Sequence, residues 1–360
     1  MQDKTSDQAQ MLFNRLQKRF RHLKKWAQRT GTGAFRLYDR DIPEIPLVLD
    51  FYGECEKTQD AAICGSLYKR PYEKDEADES VWLCAMKESV SSALGIKLEN
   101  VFLKQRQKQR GLLQYEKMGK AQFVKIVYEN GLSFKTNLSD YLDTGLFIDR
   151  RLLRAMVRDA SNNKKVLNLF SYTGSFSVYA AAGGAASTDS VDLSNTYLNW
   201  AKENFSLNGF SANLNKTSRQ DAKTQSCNSD SYRNQHVLIK ADVLEFIKSA
   251  IAGKKRWDVI IVDPPAFSNS KSMTDNFDLN RDLTNLLSQC LKLLVPNGKI
   301  FASVNVKRAA LQAQELEEKL RSFDKINVRV TDLKSKIEDE DFRGRKTSKA
   351  SPVAFLVEII

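Results

Sequence analysis

Four short stretches in the second half of the chain end an apolar run on residues able to grip a ligand. Val166-Leu167-Asn168-Leu169-Phe170 runs directly into Ser171-Tyr172-Thr173-Gly174. Val191 leads to Asp192, Leu193 and Ser194, with Asp192 placed 18 residues after Gly174. Lys240-Ala241 leads to Asp242 and Val243, and Asp258–Val262 ends in Asp263-Pro264-Pro265-Ala266-Phe267. A carboxylate closing a strand, as Asp192 would, can accept both hydroxyl hydrogens of a ribose. Gly174 would let a ligand approach the backbone with no Cβ in the way. Asp242 would accept the amino group of an adenine while the Val243 backbone meets the ring. Two consecutive prolines fix φ and remove N–H groups, so Asp263 and the Pro264 carbonyl would meet a planar base as acceptors. Phe267 offers that base a stacking face. Dinucleotide sites need G-x-G-x-x-G against a pyrophosphate, whereas here a single glycine stands with Tyr and Thr where the others would be. The spacing points to a nucleoside without a pyrophosphate, such as S-adenosylmethionine.

These residues must be carried by strands. From about residue 141 onward apolar strands alternate with amphipathic helices, the signature of a doubly wound, mostly parallel α/β sheet. In such a sheet ligands sit outside the carboxyl ends of the strands, near the point where strand order reverses. Within it, residues 211–235 are polar and read as a surface loop or insertion. Between 31 and 140 the pattern is of short alternating runs (PLVLDFYG, SVWLCAMK, NVFLKQRQ), a small mixed α+β domain made mostly of strands. Val124–Tyr128 and Leu132–Thr136 flank Asn130-Gly131, a hairpin signal. Residues 8–30 read as one amphipathic helix, with Met11, Leu12, Leu16, Phe20, Leu23 and Trp26 on one face and Gly31 at its end. The chain thus divides into a basic helix over 1–30, a strand-rich domain over 31–140 and the α/β domain over 141–360.

The charge balance bears on the partner. The 360 residues carry 56 Lys and Arg against 44 Asp and Glu, a net +12. Residues 1–30 and 101–125 each carry a net +6, so the remainder sums to zero. Basic charge gathered in two segments is the footprint of a polyanion binder, because each cation set against a phosphate releases counterions. Arg15, Lys24 and Lys25 on the helix, and Lys104, Arg106, Lys108 and Arg110 with Tyr115, are the candidate RNA contacts. At strand spacing those four cations would share one face, a phosphate track or a charge-protected edge strand. Five scattered cysteines without a CxxC pair argue against a disulfide framework or a metal site, and a reducing cytoplasm is the simplest home. No apolar stretch approaches the length of a membrane helix.

Taken in order, Val166–Gly174, Asp192, Asp242 and Asp263-Pro-Pro-Ala-Phe resemble the class I S-adenosylmethionine-dependent methyltransferases. Together with Asn14-Arg15-Leu16, Phe35-Arg36-Leu37-Tyr38-Asp39, Gln114-Tyr115-Glu116-Lys117, Asp140–Arg151 and Pro264–Lys271, the chain is similar to the C-terminal, guanine-N7 half of the bifunctional bacterial 23S rRNA methyltransferases. The resemblance implies a seven-stranded Rossmann-like sheet. It implies S-adenosylmethionine as cofactor, with Asp149 near its methionine end, Asn168, Ser171, Tyr172 and Gly174 lining it, Asp192 and Leu193 at the ribose, and Asp242 with Val243 at the adenine. Asp263, Pro264 and Phe267 would face the target base, and 23S rRNA or a large-subunit precursor would be the partner. The N2-guanine half of those enzymes has no counterpart here, so the resemblance implies a free-standing version, with a monomer the simpler assembly.

Guanine N7 carries a lone pair and no proton, so its methylation needs no general base, and His22 and His236 read as surface groups rather than catalysts. Cytosine-C5 methylation needs a thiolate. No cysteine follows Asp263-Pro-Pro, and Cys290 reads as core. Transfer to an exocyclic amine such as guanine N2 stays open, because Asp263 could hold an amino hydrogen. A non-catalytic RNA-binding assembly factor is the reading from another class.

Overall fold

The computed structural model describes residues 2–68, 75–105, 122–215, 235–265, 267–268, 277–304, 312–324, 326–343 and 353–360. The chain forms two compact units, Met1–Ile148 with Asp339–Ser348, and Asp149–Glu338 with Lys349–Ile360. The break after Ile148 lies later than the boundary at 140 that the sequence suggests.

In the first unit, helix α1 (Gln2–Thr30) buries Leu12, Leu16, Leu23 and Trp26 along one face. It packs on strands β1 (Ala34–Asp39), β2 (Leu47–Tyr52) and β3 (Ala62–Leu67). Trp26 meets Phe35 edge-on at 6.0 Å, and Phe35 stacks on Phe51 at 4.9 Å. The basic helix is therefore part of this unit's core rather than a separate element. Helix α2 (Glu76–Leu94) lies beside α1, where Gln8 Oε1 accepts from Trp82 Nε1 at 2.6 Å. This helix corrects the strand reading of SVWLCAMK. Asp75 caps it by accepting from Ala77 N, Trp82, Met86 and Val90 recur every fourth residue on the buried face, and Gly95 ends it at φ +65°. Strand β4 (Val101–Gln105) runs parallel to β3, giving the sheet order β1-β2-β3-β4. Strands β5 (Val124–Glu129) and β6 (Leu132–Asn137) form the expected hairpin, with Asn130 at φ +52° and Gly131 at φ +80°. Residues 339–343 return to this unit, where Asp341, fully buried, accepts from the Arg36 backbone N–H at 2.9 Å.

The second unit contains helix α3 (Arg151–Asp159), β7 (Lys165–Leu169), α4 (Ser175–Ala182), β8 (Ser187–Asp192) and α5 (Asn195–Leu207). Next come β9 (Ala212–Asn215), β10 (Gln235–Lys240), α6 (Val243–Ala252), β11 (Trp257–Val262) and the two-residue strands β12 (Phe267–Ser268) and β13 (Phe277–Asp278). Helix α7 (Leu279–Leu291), β14 (Leu294–Val304), α8 (Ala313–Asp324), β15 (Val328–Asp332), the short α9 (Lys334–Ile337) and β16 (Val353–Ile359) complete it. The sheet order is β15-β16-β14-β11-β7-β8-β10-β9. The pairs from β14 to β9 are parallel, and β16 is antiparallel to both of its neighbours. This is the doubly wound, mostly parallel sheet the sequence implies, with β9 as an eighth, edge strand at the start of the stretch read as a loop. Strands β7 and β11 carry near-continuous buried apolar runs, as a sheet covered on both faces requires. The chain leaves β7 toward β8 on one side and reaches β11 on the other, so strand order reverses between β7 and β11, the position at which doubly wound sheets bind ligands.

Burial of α1 generates a stability test. Leu16→Ala removes a fully buried side chain of the first unit. A loss of about 2–5 kcal/mol is expected in urea unfolding. A change within about 0.5 kcal/mol would mean that the helix is a solvated appendage.

Candidate active site

The loop after β7 has an unusual backbone. Phe170, Tyr172 and Gly174 sit at φ +58°, +49° and +72°, so left-handed residues alternate along it. Each of the two non-glycine residues costs about 1–2 kcal/mol. Three hydrogen bonds offset that strain. Ser171 N donates to Val191 O at 3.0 Å, Gly174 N to Ser171 O at 2.8 Å, and Tyr172 N to Asp192 Oδ2 at 2.9 Å. The role of Gly174 differs from the one its sequence position suggests. A Cβ there would lie 2.8 Å from the Ala201 Cβ, so α5, not a ligand, fills the space, and the left-handed φ independently favours glycine.

Asp192, at the end of β8, accepts from Tyr172 N on one oxygen and from Ser194 N on the other, both at 2.9 Å. The Leu193 backbone N–H also bonds this carboxylate, and a pair of oxygens able to accept about four hydrogen bonds keeps room to accept from a diol. Burial pushes its carboxyl up to about 6, against the lowering effect of the backbone N–H groups. Leu193 beside it is 48% exposed, an apolar surface free to cover a ligand. Asp242 is the N-cap of α6, where its Oδ1 accepts from Leu244 N and Glu245 N, and Val243 behind it is buried. Its capping role is one the sequence reading missed, although an Asp before an apolar helix with Glu245 in the first turn signals it.

Below the loop, the Asn168 amide donates to Ser177 Oγ at 2.9 Å, and Ser177 and Ser190 hydroxyls lie 2.7 Å apart. Asn168 Oδ1 and Ser171 Oγ are buried without a hydrogen-bond partner among the described residues. Buried polar atoms are normally satisfied, so these two orphans mark a place for an outside partner. A diol-ready carboxylate, two orphaned acceptors and an exposed Leu193 around one strained loop fit the nucleoside and amino-acid parts of S-adenosylmethionine.

At the end of β11, the Asp263 carboxylate faces the Arg150 guanidinium, with Oδ1 at 3.4 Å from Nη2. Arg150 Nη1 also donates to Asp149 at 2.6 Å. Burial raises Asp263 above the usual carboxylate range, and Arg150 opposes that shift. Pro264 is buried, and the backbone at Phe267 pairs with Asp278. Arg150, adjacent to the predicted Asp149, is a site residue the sequence reading did not single out.

The histidines correct the surface reading in one case. His22 is exposed and pairs with Glu340 at 2.9 Å. His236 is instead buried on β10, stacked on Phe205 at 5.0 Å and hydrogen-bonded to the Thr188 hydroxyl, and burial lowers it to about 4. Cys290 is core, its thiol pushed up to about 12 by burial.

Of the candidate RNA contacts, Arg15 is tied to Asp41 at 2.7 Å, and Lys104, half-buried, donates from Nζ to the Tyr141 carbonyl. Both are engaged within their own unit. Lys25 is exposed and Lys24 half-buried on α1. Arg106, Lys108, Arg110 and Tyr115 lie outside the described residues, and so does the Phe267 side chain.

A family model for S-adenosylmethionine-dependent methyltransferases matches residues 99–223. Ribosomal RNA large subunit methyltransferase K of Neisseria meningitidis serogroup B is 40% identical over 333 residues, covering 92% of this chain and 84% of that protein. The chain belongs to the methyltransferase K family. Ribosomal RNA large subunit methyltransferase K/L of Shewanella sediminis is 41% identical over 312 residues. That match covers 87% of this chain and 40% of the relative, so the chain spans about two fifths of that protein's length. The fold is that of a Streptococcus mutans chain described as a SAM-dependent methyltransferase, with TM-score 0.69, 23% identity, and 98% and 81% of the two chains covered. It is also that of the SAM-dependent methyltransferase of Agrobacterium tumefaciens, with TM-score 0.54, 20% identity and 87% of each chain covered. Members of this family are enzymes that use S-adenosylmethionine. No helix among the described residues is long and apolar enough to cross a membrane.

Two outcomes test the site. Because only ionised Asp192 offers acceptors on both oxygens, S-adenosylmethionine affinity should be flat above pH 7. It should fall as pH drops through about 6, the carboxyl's own range. Calorimetric titration across pH 5–8 with wild type and Asp192→Asn checks this, the variant binding at least about tenfold more weakly at pH 8 and losing the pH dependence. A wild-type affinity unchanged down to pH 5 would remove Asp192 from the ribose. Gly174→Ala should lower stability by about 1–3 kcal/mol through φ strain and contact with Ala201, read by thermal unfolding.

Proposed function

We propose that this chain transfers the methyl group of S-adenosylmethionine to N7 of a guanine in large-subunit ribosomal RNA, with Asn168, Ser171, Tyr172, Asp192, Leu193, Asp242 and Val243 holding the cofactor. The substrate class is that named for the relatives. The observation that carries the choice of guanine is the pairing of the Asp263 carboxylate with Pro264, whose own nitrogen has no hydrogen to offer. Two acceptors complement the N1–H and N2–H donors of guanine, leaving its N7 edge free to turn toward the cofactor. Neither adenine nor cytosine presents two adjacent donors on its Watson–Crick edge, so both fit such a pair less well.

When bound, the cofactor supplies an electrophilic methyl group. The protein's part is then to hold the guanine in line at ~3–3.5 Å and exclude water, since N7 has no proton to remove. The groups that other chemistries require are badly placed. His236 is stacked in the interior and Cys290 is a protonated core thiol, which disfavours both a histidine base and the thiolate route to cytosine C5. Transfer to guanine N2 is the second reading, favoured by one feature: the Asp263 carboxylate would lie within reach of an amino hydrogen.

The target base must leave its stack to enter a crevice at the strand ends, so single-stranded or opened RNA is the substrate form. Lys24 and Lys25 on α1, with the basic run that includes Arg106, Lys108 and Arg110, supply the phosphate contacts.

Incubation with 23S rRNA and S-adenosylmethionine, followed by cleavage chemistry selective for N7-methylguanine, should give one cleaved position. The same mark should be missing from a strain lacking the protein. An N2 mark would install the second reading, and a C5 mark would overturn both. Lys24→Ala with Lys25→Ala should reduce the slope of log affinity against log salt by about 1.4 for single-stranded RNA. An unchanged slope would move the contact off α1.

A further inference from the structure

Arg150 is a buried cation between two acids that the reading above leaves unexplained. Its side chain is 8% exposed, with one arm of the guanidinium on Asp149 and the other directed at Asp263, and its Nε is buried without a partner among the described residues. A guanidinium serving only to pin the chain would be expected to satisfy all its donors, and an apolar side chain of similar volume often fills such a place at no loss of stability. Placed where the approach to α3 meets the end of β11, Arg150 is well situated to govern the group that ends β11.

We infer that Arg150 is a positioning residue for methyl transfer, bridging Asp149 and Asp263 so that the Asp263 carboxylate is held as a fixed acceptor for the target base. This rests on the assignment of Asp263 to the base. The charged groups acting on Asp263 are Arg150 and Asp149 on the approach to α3, together with burial itself. Burial and Asp149 favour the protonated acid, whereas Arg150 favours the carboxylate. Arg150 remains charged because Asp149 and Asp263 outweigh its own burial. Remove it, and a buried carboxyl beside another acid takes up a proton at a higher pH, turning one of the two acceptors into a donor. The base would then meet a mismatched edge, while the ribose end of the site at Asp192 is untouched.

Single-turnover methylation at saturating S-adenosylmethionine, measured from pH 6 to 9 on the RNA that wild type modifies, tests this. Arg150→Met should slow the reaction at pH 7 by at least about tenfold and move the acid limb of the profile up by about one pH unit or more. Arg150→Lys, which keeps the charge and is the safer variant to fold, should keep the limb near its wild-type position. Affinity for S-adenosylmethionine should change by less than about threefold in both. Asp263→Asn should lose the acid limb, and adding Arg150→Met to it should cost less than about threefold more, because the two residues act through one group. Equal slowing at every pH in Arg150→Met, an alkaline shift in Arg150→Lys matching full loss of the arginine, or fully multiplicative losses in the double variant would overturn the assignment. Mapping of the wild-type product decides separately which atom is methylated, so failure of the N7 reading is distinguishable from failure of the role given to Arg150.

Discussion

The carboxylate of Asp192 joins the two strands on which the cofactor site is built. By accepting from Tyr172 N at one oxygen and Ser194 N at the other, it clamps the loop after β7 to the turn after β8. The loop needs that clamp, because two of its non-glycine residues lie in the left-handed region. The same carboxylate is the group assigned to the ribose, so the atoms that maintain the apo loop are those that would recognise the ligand. Preorganisation of this kind lowers the ordering cost of binding. It also explains why a buried acid persists at the end of a strand despite the desolvation that raises it to about 6.

The second carboxylate, Asp263, is treated differently. Where Asp192 is held by backbone N–H groups, Asp263 is held by a buried guanidinium. Backbone donors are fixed and uncharged, suited to a group whose partner is always the same diol. A charged side chain is suited to a group whose protonation state must be secured in a drier place. The two ends of the site thus solve the problem of an acid in a low-dielectric crevice by different means.

Much of this was legible in the sequence because a parallel sheet with both faces covered writes itself as apolar runs, and its loops can be found at their ends. Asp192, Asp242 and Asp263 all fall where the alternation of strands and helices puts them. What escaped was three-dimensional. Gly174 looks like a glycine kept open for a ligand, but Ala201 on α5 claims the space, a contact 27 positions away in sequence that no local pattern announces. Arg150 is one of two adjacent arginines, and only the folded chain shows that it is the one lying between two acids. Lys104 and Arg15 were counted by charge, and charge does not tell whether a partner such as Asp41 has already taken it. SVWLCAMK reads as a strand because the signals of its helix, the Asp75 cap and the Gly95 stop, lie outside the run.

Strand β16 adds a constraint on biogenesis. It lies between β14 and β15 and is antiparallel to both, yet it is made after each of them. During synthesis the edge of β14 from Lys299 to Val304 therefore stays unpaired until β16 emerges. A bare apolar edge is a template for intermolecular pairing. The nascent chain thus carries an open pairing edge through the interval between emergence of β14 and arrival of β16.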